Sequence, residues 1–329
     1  MLDIANPRYG CPGRKVACWT GMPDATIPRR PFGHAGDLVS ALGFGGYHLG
    51  KIKSIREAVR LVRAAIDDGI TFMDNAWEYH DGRSEELLGK ALEGRRKEVF
   101  LMTKLCTHGR GKREAMRQLE QSLKRLKTDF LDLWQIHECV YYNDPELHFA
   151  RDGAVEAVDQ AKREGKVRFV GFTGHKDPTI HLEMLSHDYP FDSCQLPLNC
   201  ADASFRSFER EVLPELLRRR IAPIGMKSFG DGRLLKGKAI SAKDALHYAM
   251  SLPVVTTVSG IDSMKVLKQN VAIAKGFKPL SPRQMEALRQ KVRDHAQDGR
   301  FELYKTTVTH DGRVGREQHG FPLEDEVSA

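Results

Sequence analysis

Short apolar runs alternate with longer amphipathic stretches along most of the chain. Seven runs rich in Val, Ile, Leu and Phe predict strands at 70–74, 99–104, 130–137, 167–173, 193–198, 221–227 and 254–259. They are apolar toward both faces, as a parallel sheet covered by helices requires. Between them, 54–68 places Ile55, Val59, Val62 and Ile66 at steps of three and four opposite charged residues, and Gly69 stops the helix. The segment 113–127 repeats the pattern with Met116, Leu119, Leu123 and Leu126. Segments 153–166 and 262–275 follow it, and 209–220 predicts a helix with Pro214 near its start.

With 42–46 as the first strand, strand–helix units alternate strictly and reach eight. Strict alternation predicts an α/β fold, either a closed barrel or an open doubly wound sheet. The count of eight favours the barrel. So does the segment Gly43-Phe-Gly45-Gly46, which lacks GxGxxG spacing and runs into Tyr47-His48 rather than into a helix N-terminus. The expected organisation is a single (β/α)8 TIM barrel over 31–299. An irregular extension rich in Pro, Gly and Cys precedes it at 1–30, and a tail at 300–329 packs across one barrel mouth.

A length of 329 residues suits one such barrel. No uncharged apolar run approaches the roughly 18 residues a membrane helix needs. The segments 40–50 and 250–261 are short and broken by Gly or Thr. The N-terminus carries Asp3, Pro7 and Gly10 where a signal peptide needs apolar residues, and Arg29-Arg30 is followed by Pro31 and His34. A soluble, cytoplasmic protein without membrane contact is expected. The six cysteines, Cys11, Cys18, Cys106, Cys139, Cys194 and Cys200, are scattered without CxxC spacing. They read as thiols, with no clustered ligands for zinc or an iron–sulfur cluster. A net charge of +7 favours anionic ligands, and a phosphate-bearing cofactor accounts for it. Basic residues show no aromatic-interleaved patch, which argues against nucleic acid.

Barrel enzymes carry their catalytic groups at the C-terminal ends of strands. Here three apolar runs end on Asp74, Lys104 and His137, and Tyr79 lies just past the first. A lysine beside a carboxylate at a barrel mouth also suits a structural ion pair, but four titratable groups converging from successive strands fit that poorly.

The stretches Phe72-Met-Asp-Asn-Ala-Trp-Glu-Tyr79, Ser84-Glu-Glu-Leu-Leu-Gly-Lys90, Thr103-Lys104, Asp132-Leu-Trp-Gln-Ile-His137 and Gly165-Lys-Val-Arg-Phe-Val-Gly-Phe-Thr173 resemble the aldo-keto reductase superfamily. Gln195 and the segment from Gly260 to Asn270 extend the resemblance over residues 30–279. It implies reduction of a small-molecule carbonyl, an aldehyde or ketone, by hydride from a nicotinamide cofactor. Tyr79 would give the proton the developing oxyanion needs. Lys104 would lower the Tyr79 pKa, Asp74 would hold Lys104 charged, and His137 would orient or polarise the carbonyl. Tyr47 and Trp77 would wall the substrate pocket, or simply pack the barrel mouth.

The cofactor contacts implied by the resemblance begin at Gly46, Tyr47 and Thr173, with Gln195 on the nicotinamide carboxamide. Met226 stands where many relatives place an aromatic ring. Met226, Lys227, Ser228 and Gly230 would pass the pyrophosphate, and Gly260, Asp262, Ser263, Gln269 and Asn270 would hold the adenosine half. The usual Ser-Asn pair is replaced by Thr173-Gly174, so that either His175 replaces the lost carboxamide ligand or the nicotinamide is held more loosely. NADP(H) is favoured, with NAD(H) open. Gly260 and Val266 occupy positions where many relatives carry Lys and Arg, and Asp262 sits beside them. Neither a metal nor an iron–sulfur cluster is expected; relatives that share Gly-Phe-Thr-Gly-His and carry a cluster have a cysteine-rich C-terminus absent here. A homo-oligomer stays open. The rival function is a cofactor-binding regulatory subunit resembling potassium-channel β subunits. A third, a metal-dependent barrel hydrolase built on His34, His48, His80 or His137, lacks an HxH pair and any visible carboxylate–histidine cluster at strand ends.

Overall fold

The computed structural model describes residues 26–33, 36–108, 111–236, 240–308 and 310–323. Most of the expected extension (1–25) lies outside them, as do Cys11, Cys18 and His34. A short antiparallel hairpin, β1 (Arg29–Phe32) and β2 (Asp37–Ser40), leads into eight parallel strands. These are β3 (Leu42–Gly45), β4 (Phe72–Asp74), β5 (Phe100–Leu105), β6 (Leu131–Ile136), β7 (Val167–Thr173), β8 (Ser193–Pro197), β9 (Ala222–Met226) and β10 (Thr256–Gly260). They close in chain order, with β10 pairing back onto β3. The protein is the expected (β/α)8 barrel.

Helices cover the outside because their apolar stripes match the sheet. In Ile55–Asp67, Leu61, Val62, Ala65 and Ile66 are buried, and the Ser54 side chain caps the start by accepting from Glu57 N–H. Each such aliphatic side chain contributes about 1.5–3 kcal/mol on full burial. The helix expected at 209–220 is two helices, Phe208–Glu211 and Leu213–Arg219. Pro214 has no N–H to continue the ladder, so the chain breaks at Val212 and restarts with proline in the first turn. A second correction concerns the first strand, since the one-turn helix Gly46–Gly50 follows β3 directly. The helices Arg83–Ala91, Pro178–Ser186, Ala242–Ser251 and Pro282–Ala296 are additional to those expected.

The barrel interior connects fold to site. Phe32 of the hairpin is fully buried and meets Phe100 and Phe169 at ring-centroid distances of 4.6 and 5.1 Å, plugging the N-terminal mouth. Phe72, Met102, Leu133, Ile224 and Val258 complete this inner cluster. Side chains on a strand return to the same face every second residue. Two residues beyond Phe72, Met102, Ile224 and Val258 therefore come Asp74, Lys104, Met226 and Gly260. Four beyond Leu133 and Phe169 come His137 and Thr173. The expected domain boundary at 30/31 falls inside β1, and Arg30 donates to the carbonyls of Met250 and Val254 at 2.6 and 2.5 Å.

The tail runs across the opposite mouth with two short helices, Leu303–Thr306 and Arg313–Gln318. Lys305 anchors it, fully buried, donating to Asp202 at 2.7 Å and Glu302 at 2.8 Å. No helix of the described residues is long and apolar enough to cross a membrane.

Candidate active site

A cavity of about 880 Å³ opens at the C-terminal mouth, and Asp74, Tyr79, Lys104 and His137 all line it. Lys104 is 1% exposed. Its ammonium donates to Asp74 Oδ1 and, at 2.7 Å, to the Asn75 carbonyl, which fixes its direction. The same nitrogen stands over the Tyr79 ring, 5.2 Å from the centroid. Tyr79 meets His137 edge to face at 5.5 Å and Tyr47 at 5.4 Å. Tyr47 and Trp77 both line the cavity. Trp77 donates its indole N–H to Gln121 at 2.7 Å, outside the inner ring of groups.

One expected effect is corrected. Burial, reinforced by Asp74, Glu78 and Glu138, pushes the Tyr79 phenol well above its usual range. The Lys104 ammonium, 5.2 Å from the Tyr79 ring centroid, does not reverse this. Tyr79 is thus held as the neutral phenol, the protonation state a proton donor requires.

Two residues missed in the sequence complete this side of the cavity. Glu78 Oε1 lies 2.7 Å from His137 Nδ1. Burial would raise the Glu78 carboxyl, but His137 and Cys106 hold it down at about 2. Burial keeps His137 below the usual imidazole value while Glu78 pulls the other way. We therefore assign an ionised Glu78 facing a His137 that is neutral at neutral pH. The carboxylate–histidine pair that spacing did not reveal does exist at the strand ends. It went unseen because Glu78 comes from the loop after β4 and His137 from the end of β6. Glu138 also lines the cavity and accepts from the Gly312 N–H at 2.7 Å.

The opposite wall fits a nicotinamide dinucleotide. Gln195 and Ser228 line the cavity at 1% and 2% exposure, and Gln195 Oε1 and Ser228 Oγ are buried without a protein partner. An unsatisfied amide oxygen suits a carboxamide donor, and an unsatisfied hydroxyl suits a phosphate oxygen. Thr173, Met226, Lys227 and Gly260 share this wall. Gly174 explains the lost carboxamide ligand: a Cβ there would sit 2.2 Å from the Cys139 carbonyl oxygen, so no asparagine fits. His175 does line the cavity, and burial followed by Lys227 and Lys176 holds its imidazole well below its usual pKa, neutral.

Other expected cofactor residues do not line this cavity. Gly46 packs on the Asp74 carbonyl, and Gly230 packs on the Phe301 carbonyl. Asp262 and Gln269 are exposed. Ser263 caps the Met264–Lys275 helix by accepting from Val266 N–H, and buried Asn270 donates to Ser259 Oγ at 3.1 Å.

A closed barrel of eight parallel strands with a cavity at its C-terminal mouth defines the fold class. The chain belongs to the Aldo/keto reductase family, whose sequence model matches residues 41–244. Methylglyoxal reductase YeaE of Escherichia coli (strain K12) is 36% identical over 136 residues, covering 41% of this chain and 45% of that protein. A probable voltage-gated potassium channel subunit beta of Oryza sativa subsp. japonica is 35% identical over 150 residues, 42% of this chain and 44% of that protein. The chain spans about half the length of these curated relatives. An aldo/keto reductase from Klebsiella pneumoniae, solved in complex with NADP and acetate, shares the fold with a TM-score of 0.67 at 23% identity, covering 81% of this chain and 96% of that one.

Proposed function

We propose that this protein reduces an aldehyde or ketone with hydride from NADPH, and accepts NADH less selectively than relatives that keep both basic adenosine contacts. The observation that carries this is the convergence of Tyr79, His137 and the Lys104–Asp74 pair across one cavity from the orphaned Gln195 and Ser228 oxygens. The dinucleotide, when bound, supplies the hydride. Gln195 would hold its carboxamide, Ser228 and Lys227 its phosphates, and Met226 would pack against its ring. Tyr79 delivers the proton to the substrate oxygen, and the Lys104 ammonium stabilises charge as it develops there. The tail residues His310, Asp311 and Val314 wall the substrate side. The direct test is cofactor oxidation monitored against aldehydes, ketones, quinones and sugars; inertness across the panel would count against reduction. The similarity to the rice channel subunit keeps a regulatory role as the alternative, and a partner whose behaviour follows cofactor redox state without turnover would favour it.

Glu78 gives this reaction a pH signature. A neutral His137 keeps a lone pair on one ring nitrogen, whereas the imidazolium presents an N–H at both and polarises a carbonyl. Reduction should therefore weaken as pH rises through the His137 pKa. Glu78→Gln removes the anion that raises that pKa, so the alkaline fall in kcat should move to lower pH, by about 1–3 pH units for an opposite charge at this range. Cofactor Kd should not change. A profile identical to wild type would remove Glu78 from the relay.

Cofactor preference is tested at Asp262, which is exposed beside the expected adenosine segment. A carboxylate there repels a 2′-phosphate, but solvent screens it. Asp262→Ser should shift the ratio of kcat/KM values toward NADPH by roughly two- to fivefold, the scale of an exposed charge contact. No shift would place selectivity elsewhere.

A further inference from the structure

Beside His137 lies a second cluster, which shares Glu138 with the cavity and adjoins the catalytic groups through Glu78. Cys106 and His108 leave the end of β5 with one residue between them, and Glu138 leaves the end of β6. Cys106, His108 and Glu138 offer a sulfur, a nitrogen and an oxygen within 4.8 Å of one another, and all three residues are buried. We propose that Cys106, His108 and Glu138 form a binding site for a divalent cation of the zinc class.

An independent observation points to a ligand there. His108 is 1% exposed, and its Nε2 has no protein partner. Its Nδ1 is already occupied, facing Asp144 Oδ1 at 3.2 Å. Asp144 is fixed in turn by the backbone N–H groups of Val140 and Tyr141 at 2.9 and 2.8 Å. A histidine held at one nitrogen by a braced carboxylate, with the other nitrogen unsatisfied, is the arrangement that orients a metal-binding imidazole and raises its basicity. The donor chemistry is selective as well. Thiolate, imidazole and carboxylate suit a borderline-soft ion such as Zn²⁺, not Mg²⁺ or Ca²⁺. Thiolate and carboxylate together carry two negative charges, which a divalent ion offsets in the low-dielectric interior. Both His108 and Glu138 have left-handed backbones, φ 43° and 53°, a strain found where side chains are aimed for function.

The site also meets the tail. Gly312 donates its N–H to Glu138, and Gly315, one helical turn on, lies against His108; an added Cβ would sit 2.5 Å from Glu138 Oε2 or 2.7 Å from His108 Nε2. The cation would therefore brace the residues on which the tail helix rests. Glu78, in reach of both Cys106 and His137, stays on the catalytic side.

The test is titration of the full-length, chelator-stripped protein with Co²⁺, read by absorbance. One equivalent should produce a near-ultraviolet thiolate-to-cobalt charge-transfer band, and Zn²⁺ should displace it. Cys106→Ser should abolish the band, while a Cys11→Ser, Cys18→Ser double variant should keep it. Asp144→Asn should keep the band but weaken affinity roughly 10–100-fold. Should Cys106→Ser fail to fold, judged by circular dichroism, Glu138→Gln takes its place and should weaken Co²⁺ binding comparably. The proposal is overturned by the absence of a band in the wild type, by a band that survives in folded Cys106→Ser, or by one that follows Cys11 and Cys18. None of these outcomes depends on carbonyl reduction, which is assayed separately on the stripped protein.

Discussion

Replacing Tyr79 by phenylalanine should cut carbonyl reduction by roughly 10²–10⁴-fold, the usual worth of a general acid. Cofactor affinity should stay within a few-fold of wild type. The ring is retained, so its edge contacts with His137 and Tyr47 and its place under the Lys104 ammonium survive. Only the proton that moves as hydride arrives is lost, so the deficit should fall on kcat and not on binding. A Tyr79→Phe protein with near-normal turnover would mean that the proton comes from elsewhere, with His137 the first candidate. The assay is steady-state reduction of whichever carbonyl the screen selects, with cofactor Kd from nucleotide fluorescence.

That Asp74, Lys104 and His137 reach one cavity was legible in the sequence because the inner face of a barrel strand repeats every second residue. Where a polar residue ends an inward apolar series, as Lys104 follows Phe100 and Met102, the strand has left the packed interior and reached the mouth. The eight barrel strands were legible for the same reason, their ends displaced by a residue or two. What stayed hidden depends on loops. Glu78 and His137 are far apart in the chain and meet only because β4, β5 and β6 are neighbours in the sheet. The Cys106, His108 and Glu138 cluster is invisible to spacing for that reason. One element was readable and passed over: Ser281 and Gln284 form a capping box before Met285, Leu288, Val292 and Ala296 at helical steps. By contrast, Pro178–Ser186 is apolar around most of its surface and offers little periodicity. The tail's grip was illegible because it rests on Lys305, a charged residue that sequence patterning assigns to solvent.

That grip supports the largest expected stability effect. Lys305 is fully buried, and its three donors are used by Asp202 at 2.7 Å, Glu302 at 2.8 Å and the Phe205 carbonyl at 2.9 Å. Lys305→Met keeps most of the side-chain volume and removes the charge, leaving two enclosed carboxylates facing each other. Breaking a buried ion pair from one side costs about 3–5 kcal/mol, so the denaturant midpoint should fall with little change in slope. The loss should also depend on pH in a definite direction. Burial already raises the Glu302 carboxyl, with Lys305 pulling it down; without Lys305 it rises further above its unfolded value. A carboxyl raised on folding destabilises the native state above its pKa and ceases to do so once protonated. Lys305→Met should therefore lie closer to wild type at pH 5 than at pH 8. Because residues 310–314 wall the cavity just beyond this anchor, substrate KM should rise more than cofactor Kd. The point variant is a cleaner probe than deleting the tail after Gln297, which would strip Asp202 of its cation and remove the cavity wall together. An unchanged midpoint in Lys305→Met would mean that the tail is not anchored through this lysine, and its position over the substrate mouth would need another cause.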